Sequence, residues 1–233
     1  MDTAPLAGRL RWLCPLAALI AAAPTASAQT VGVVAGQIKM LEKGDRPSSD
    51  VGQTVVWLVG SQAPAGRASH VEMATEGKQF LPHLVVVAPG SSVAFPNHDP
   101  FNHNVFSLSP EAPFDLGLYG RGEAKSITFR QPGTIQVYCN FHAQMRGIVF
   151  VVASGLVTQP GADGSFQLDG VPPGEYVLHA WHERSGEVQQ PVTVTAEEPS
   201  AVTLTLDARG YRLKPHLDKN GQSYYSREEG SRY

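Results

Sequence analysis

Cysteine is almost missing from this chain: 233 residues hold two, Cys14 and Cys139. That count rules out an iron–sulfur cluster, which takes roughly four thiolates, and a two-cysteine binuclear copper centre once Cys14 is discounted below. Basic residues are outnumbered, with 18 Lys and Arg against 21 Asp and Glu. A net charge of −3 speaks against nucleic acid or an anionic membrane surface as partner, since either favours a basic patch. No apolar run reaches the roughly 20 residues that span a bilayer, and no long stretch shows the apolar spacing of a helix.

What is present begins with a leader. Arg9 and Arg11 precede WLCPLAALIAAA, and PTASAQT then offers small residues at Ala26 and Ala28. This is the charged, apolar and small-residue order of a cleavable secretory signal over 1–28, with the cut predicted after Ala28. Cys14 follows the bulky Leu13, which argues against a lipoprotein signal. The mature chain is then exported, with the periplasm as the expected compartment, and loses one acid and two bases, leaving 16 and 20 for a net of −4. Its one thiol, Cys139, has no internal disulfide partner. An unpaired thiol in an oxidising compartment is open to oxidation. Cys139 is therefore either a metal ligand or a small buried hydrophobe.

With 23 glycines and 18 prolines between short valine-rich runs, the composition predicts an all-β protein. VGVVAGQIKML (31–41), QTVVWLVG (53–60) and GIVFVV (147–152) read as strands. LVVVAPGSSVAFPN (84–97) and SITFRQPGTIQVYC (126–139) each read as two strands about a Pro-Gly turn. GSFQLDGVPPGEYVLHAWH (164–182), VTVTA (192–196) and AVTLTL (201–206) alternate in the manner of half-buried strands. The polar end of the chain, 208–233, is expected to be loosely ordered or to lie along a surface.

The chemistry collects at CNFHAQM, 139–145. In TIQVYC, Ile135, Val137 and Cys139 share one strand face. A thiolate on that apolar face needs a cation to be stable. His142 and Met145 follow in the connection to GIVFVV, and FPNHDPFNHNVF (95–106) supplies His103 at a loop-to-strand junction. One thiolate, two imidazoles and a thioether are a soft mixed set that suits copper, with zinc the rival.

His103-Asn104, the distant Cys139-x-x-His142 and Met145 resemble the signature of the cupredoxins, the type 1 blue copper proteins that include plastocyanin and amicyanin. The gap between His142 and Met145 resembles the shorter, amicyanin-like loop. The resemblance implies a Greek-key β-sandwich over 61–153 and one type 1 copper ion. His103, Cys139, His142 and Met145 are its implied ligands, and Asn104 is implied to tie the two ligand loops together. It further implies an electron carrier and not an enzyme, whose His142 ring edge faces a redox partner, a dehydrogenase or cytochrome c. Phe101, Phe141 and Ala143 then form a docking patch. KQFLPH, PNHDPFNHNVFSLS, FDLGLYG and VPPGEYVLHAWHE resemble exported proteins of the methylamine-utilisation type.

ADGSF, VPPGEY and the alternating strands after them resemble the carboxypeptidase-regulatory-like, transthyretin-like β-sandwich. In that family strands like GQIKML and TVVWLVG precede the DGxF strand, which implies a smaller sandwich of 29–60 with 154–207, interrupted by the copper domain. Two units in tandem, with 31–60 leading into the copper domain, are the simpler alternative. Other functions are a copper chaperone or buffer, disfavoured by the few methionines, and an adhesion or carbohydrate-binding module with a vestigial copper site. The latter is disfavoured because Trp57 and Trp181 suit a core. His98 is read as a solvated loop residue, His70 and His83 lack the spacing of a metal site, and His179 and His182 fall on opposite strand faces.

Overall fold

Three of the apolar runs carry no polar residue to turn toward water, and each forms a strand covered on both faces. The computed structural model describes residues 30–44 and 46–224 together with Met1. The predicted leader with its cut after Ala28, and the end of the tail from 225, lie outside the described residues. Within them the regular structure is β strand apart from one 3₁₀ turn, Val51–Gln53, and no helix is long and apolar enough to cross a membrane.

The strands β1 (Gly32–Leu41) and β2 (Val55–Val59) come first. Next are β3 (His70–Glu72), β4 (Ala74–Glu76), β5 (Gln79–Leu81), β6 (Leu84–Val87) and β7 (Ser92–Pro96). They are followed by β8 (His103–Ser107), β9 (Phe114–Tyr119), β10 (Ala124–Thr128), β11 (Gly133–Tyr138) and β12 (Arg146–Val151). The chain then forms β13 (Val157–Thr158), β14 (Ser165–Val171), β15 (Gly174–His182), β16 (Gly186–Val194) and β17 (Ser200–Asp207).

A five-stranded sheet in the order β6-β12-β11-β8-β9 and a three-stranded sheet β10-β7-β3, with the β4-β5 hairpin, surround one core. Val87, Phe95, Val105, Phe129, Ile135, Val137 and Val149 fill it. A second core, including Ile38, Leu58, Phe166, Leu178 and Leu206, lies between the sheets β14-β1-β17 and β13-β2-β15-β16. The early strands thus pair with late ones: β1 antiparallel to β14 and parallel to β17, and β2 antiparallel to β13 and β15.

The uninterrupted runs join the two cores. Along β12, Val149 and Val151 face the first core while Ile148 and Phe150 face outward, and β6 divides Val85 and Val87 from Leu84 in the same way. Their outward residues meet Val55 and Trp57 of β2, whose neighbours Val56 and Leu58 enter the second core. The Trp57 and Phe150 rings lie 5.3 Å apart. Where the chain crosses between the units, its two passages are hydrogen-bonded to each other, Gly66 N–H to Ala153 O and Gly155 N–H to Pro64 O, both at 2.7 Å.

Some elements differ from the sequence expectation. β16 starts at Gly186, six residues before VTVTA, because it is the edge of its sheet and its first half is largely exposed and polar. The β4-β5 hairpin and β9 were not expected; the first is built of three-residue strands, and Gly117, at φ +68°, breaks the alternation of the second. The tail from Arg209 to Tyr224 lies against the first unit, where Asp218 is fully buried.

Candidate metal centre

The alternation of β11 carries Ile135, Val137 and, just past its end, Cys139 into the core, all fully buried. β8 begins at His103, whose ring is also fully buried. Between β11 and β12 the chain makes one tight connection. Met145 N–H donates to His142 O at 2.9 Å, and Cys139 N–H donates to Met145 O at 3.3 Å, which closes the loop at its base. Met145 is fully buried in the same core as Cys139, while His142 is half-buried.

Three donors converge. Cys139 Sγ lies 3.7 Å from Nδ1 of His103 and 3.6 Å from Nδ1 of His142. One donor atom from each of the three residues lies within 4.8 Å of the others. Metal–sulfur and metal–nitrogen bonds of about 2.3 and 2.05 Å, set about 120° apart, would place such atoms about 3.8 Å from each other. The three donor atoms are therefore close enough to hold a single ion, and thiolate with two imidazoles beside a buried thioether is the set that favours copper.

Hydrogen bonds behind the donors orient them. His103 Nε2 lies 2.7 Å from Oδ2 of Asp99. Burial works to raise the Asp99 pKa, but the amide of Lys78, the His103 ring and the amide of Gly77 together hold it below the ordinary carboxylate value. Asn97, fully buried, accepts from Thr75 Oγ1 and donates to the carbonyls of Phe101 and Tyr119, which fixes the loop leading into His103. Burial, followed by the neighbouring His103 and Lys78, pushes the His142 pKa below its usual value and keeps its ring neutral near pH 7.

Asn104 differs from expectation. Its Nδ2 donates to Asp115 Oδ1 on β9 at 2.6 Å, not to the Cys139 loop, and its Oδ1 is buried without a partner among the described residues. The link to the cysteine loop is indirect. Lys219 of the tail bonds Asp115 Oδ2 through its ammonium and Asn140 Oδ1 through its amide. The physical reason is that β8 pairs with β9, with Asn104 opposite Leu118 and Phe106 opposite Asp115 across a register shift, so the Asn104 side chain reaches the neighbouring strand and not the cysteine loop.

At the surface, Phe101 and Phe141 are exposed and Ala143 is half-buried, with the Phe101 ring 5.7 Å from that of His142. His98 is exposed, with Glu76 3.9 Å away. His70 bonds Ser92 and His83 bonds Glu183, so those two serve separate contacts. His179 stacks on Trp57, whereas His182 is buried on the opposite face of β15. Sequence reasoning missed Asn97 and Asp99. The signal was there, an Asp-Pro turn with its carboxylate four residues before a ligand histidine.

Comparison with known proteins points to a copper-binding family. Residues 68–152 match the family of copper binding proteins, plastocyanin/azurin family. The chloroplast plastocyanin of Physcomitrium patens is 39% identical over 83 residues, which is 31% of this chain and 49% of that protein, so the chain spans about half the length of this relative. The chloroplast plastocyanin of Fritillaria agrestis is 31% identical over 118 residues, covering 43% of this chain and 71% of that protein. The chain belongs to the plastocyanin/azurin family. A solved amicyanin from Paracoccus versutus aligns with 41% of this chain and 97% of its own at 23% identity, with a TM-score of 0.34. The family match covers the unit that holds His103, Cys139 and His142; the second sandwich lies outside it.

Proposed function

We infer that this cupredoxin is a periplasmic electron carrier with one type 1 copper ion held by His103, Cys139, His142 and Met145. The observation that carries the reading is the convergence of one buried thiol and two imidazole Nδ1 atoms at 3.6 and 3.7 Å. Bound there, copper supplies a one-electron couple, Cu(I)/Cu(II). The chain's part is to hold one arrangement acceptable to both states: β8 and β11 anchor two donors in a dry core, and the closed 139–145 loop fixes the other two.

A protein with four side-chain ligands presents no place for a substrate, so it carries electrons and is not an enzyme. The buried Cys139 and His103 also disfavour metal exchange, which sets a carrier above a copper chaperone. Electrons pass through the half-buried His142, and Phe101, Phe141 and Ala143 form the apolar rim on which a dehydrogenase or cytochrome c docks. Membership of the methylamine-utilisation type fits that partner class.

The strand pairings support a domain division in which 29–60 and 154–207 make one carboxypeptidase-regulatory-like sandwich and 61–153 is inserted into it. Pairing of β1 with β14 and β17 is what favours this over a tandem order.

The test is the visible and electron paramagnetic resonance spectrum of residues 29–233 loaded with Cu(II), beside a Cys139→Ala variant. An intense thiolate-to-copper band with narrow hyperfine splitting, bleached by mild reductant and absent in the variant, is the expected result. A pale spectrum with wide splitting that the variant leaves unchanged removes Cys139 as a ligand and the carrier reading with it.

A further inference from the structure

Behind His103 stands a carboxylate that is itself firmly held. Asp99 and His103 are both buried, and 2.7 Å separates Oδ2 from Nε2. The Gly77 amide donates to Asp99 Oδ1 at 2.8 Å and the Lys78 amide to Oδ2 at 3.0 Å, while Asp99's own amide donates to Asn97 Oδ1 at 3.0 Å. Gly77 and Lys78 are the two residues between β4 and β5, and both have φ of +59°. That is the backbone of a tight hairpin turn, which glycine takes freely and lysine does not. Lys78 is the one non-glycine residue at positive φ among the described residues. Its strained amide is aimed at Asp99.

We propose that the Gly77–Lys78 turn and Asp99 form a positioning device for His103, which fixes the ring's donor geometry and biases the site toward Cu(II). This rests on the copper reading above. An ionised carboxylate only accepts, so the His103 proton must sit on Nε2 and the Nδ1 lone pair is left facing Cys139 Sγ. A negative partner behind the ring also makes it a stronger donor. A stronger donor stabilises the doubly charged ion more than the singly charged one.

Asp99→Asn tests this. Its one oxygen, turned to the Oδ2 position, still accepts from His103 and the Lys78 amide while its NH₂ opposes only the Gly77 amide, so the ring keeps its hydrogen bond and loses the negative charge behind it. Cu(II) affinity is expected to fall about 10-fold more than Cu(I) affinity, a rise in reduction potential of about 59 mV for one electron, with the thiolate–copper band retained. Phe150→Ala weakens the same unit from the outward face of β12, away from the ligands, and is expected to lower the melting temperature and leave the potential in place.

If Asp99→Asn keeps the wild-type potential, or Phe150→Ala moves it equally, the positioning role is wrong. If the wild type lacks the thiolate–copper band, the copper reading fails instead, so the two failures are distinct. Should Asp99→Asn not fold, nitrogen–proton correlation spectra of the wild-type Cu(I) protein decide. A slowly exchanging proton on His103 Nε2 supports the device, and an unprotonated Nε2 overturns it.

Discussion

Tyr224 donates its hydroxyl to the main-chain carbonyl of Cys139 at 2.7 Å, so the residue that supplies the thiol is held from outside by the far end of the chain. The same tail stacks His216 on Tyr138 with ring centroids 4.2 Å apart, bonds Asn140 through the Lys219 amide, and places Tyr211 OH 3.1 Å from Arg146. Every one of those partners lies between 138 and 146, the segment that carries three of the four proposed ligands.

Removing residues 209–233 is therefore expected to speed the loss of copper to a chelator and to lower the melting temperature, while the visible band of the loaded protein stays. Each lost hydrogen bond is worth about 1 kcal/mol. Tyr224→Phe alone should show a fraction of the effect. Equal copper release rates in the truncated and full chains would mean that the tail contributes nothing to the ligand loop.

The two units should melt together. Phe150 projects from the copper unit onto Trp57 and Trp181 of the second sandwich, with ring centroids at 5.3 and 4.9 Å, and the Glu183 carboxylate is shared by Arg146 and His83 across the same junction. Thermal unfolding followed by the copper band and by tryptophan fluorescence is expected to coincide. Phe150→Ala should cost about 3–5 kcal/mol and separate the two transitions. Two well-separated transitions in the wild type would refute the coupling.

Much of this was legible because the information was local. Alternation in TIQVYC placed Cys139 on the core face, and the short spacing to His142 and Met145 put them in one connection. The double burial of GIVFVV and LVVV was visible only as a lack of polar residues; what covers the second face is β2, more than 80 positions away along the chain from β12, and local pattern cannot name it. Asp99 escaped for the same reason, since its role depends on a turn at Gly77–Lys78 about twenty residues earlier. Asn104, expected to tie the ligand loops together, bonds Asp115 directly and reaches the cysteine loop only through Lys219, and the family pattern says nothing of either.

Met145→Leu keeps the volume of a buried side chain, so the fold should survive at a cost below about 1.5 kcal/mol. Replacing the weak sulfur donor with hydrocarbon disfavours the doubly charged ion more than the singly charged one. The reduction potential is expected to rise while the thiolate band stays intense, because Cys139, His103 and His142 still define the plane. Loss of the band would show that Met145 is needed to shape the site, and an unmoved potential would show that it is no ligand.

The copper-free protein should weaken on mild acidification, and His182 is the residue to test. Its side chain is 1% exposed, its Nε2 faces Asp50 O at 3.2 Å, and its Nδ1 accepts the Arg184 amide at 3.1 Å, which leaves no room for a second ring proton. Burial lowers its pKa against the opposing pull of Asp50, so the unfolded chain takes up the proton more readily than the folded one. Stability is then fully present above the unfolded histidine value of about 6.5 and is lost as pH falls below it, by at most about 1.4 kcal/mol per pH unit for one such group. His142 and His216, also lowered by burial, act in the same direction. The urea midpoint of the copper-free protein is expected to be lower at pH 5.5 than at 7.5, in a window above that of the carboxylates. His182→Gln should be less stable at both values and show a smaller difference between them. A variant with the full wild-type difference would assign the acid sensitivity to the other two histidines.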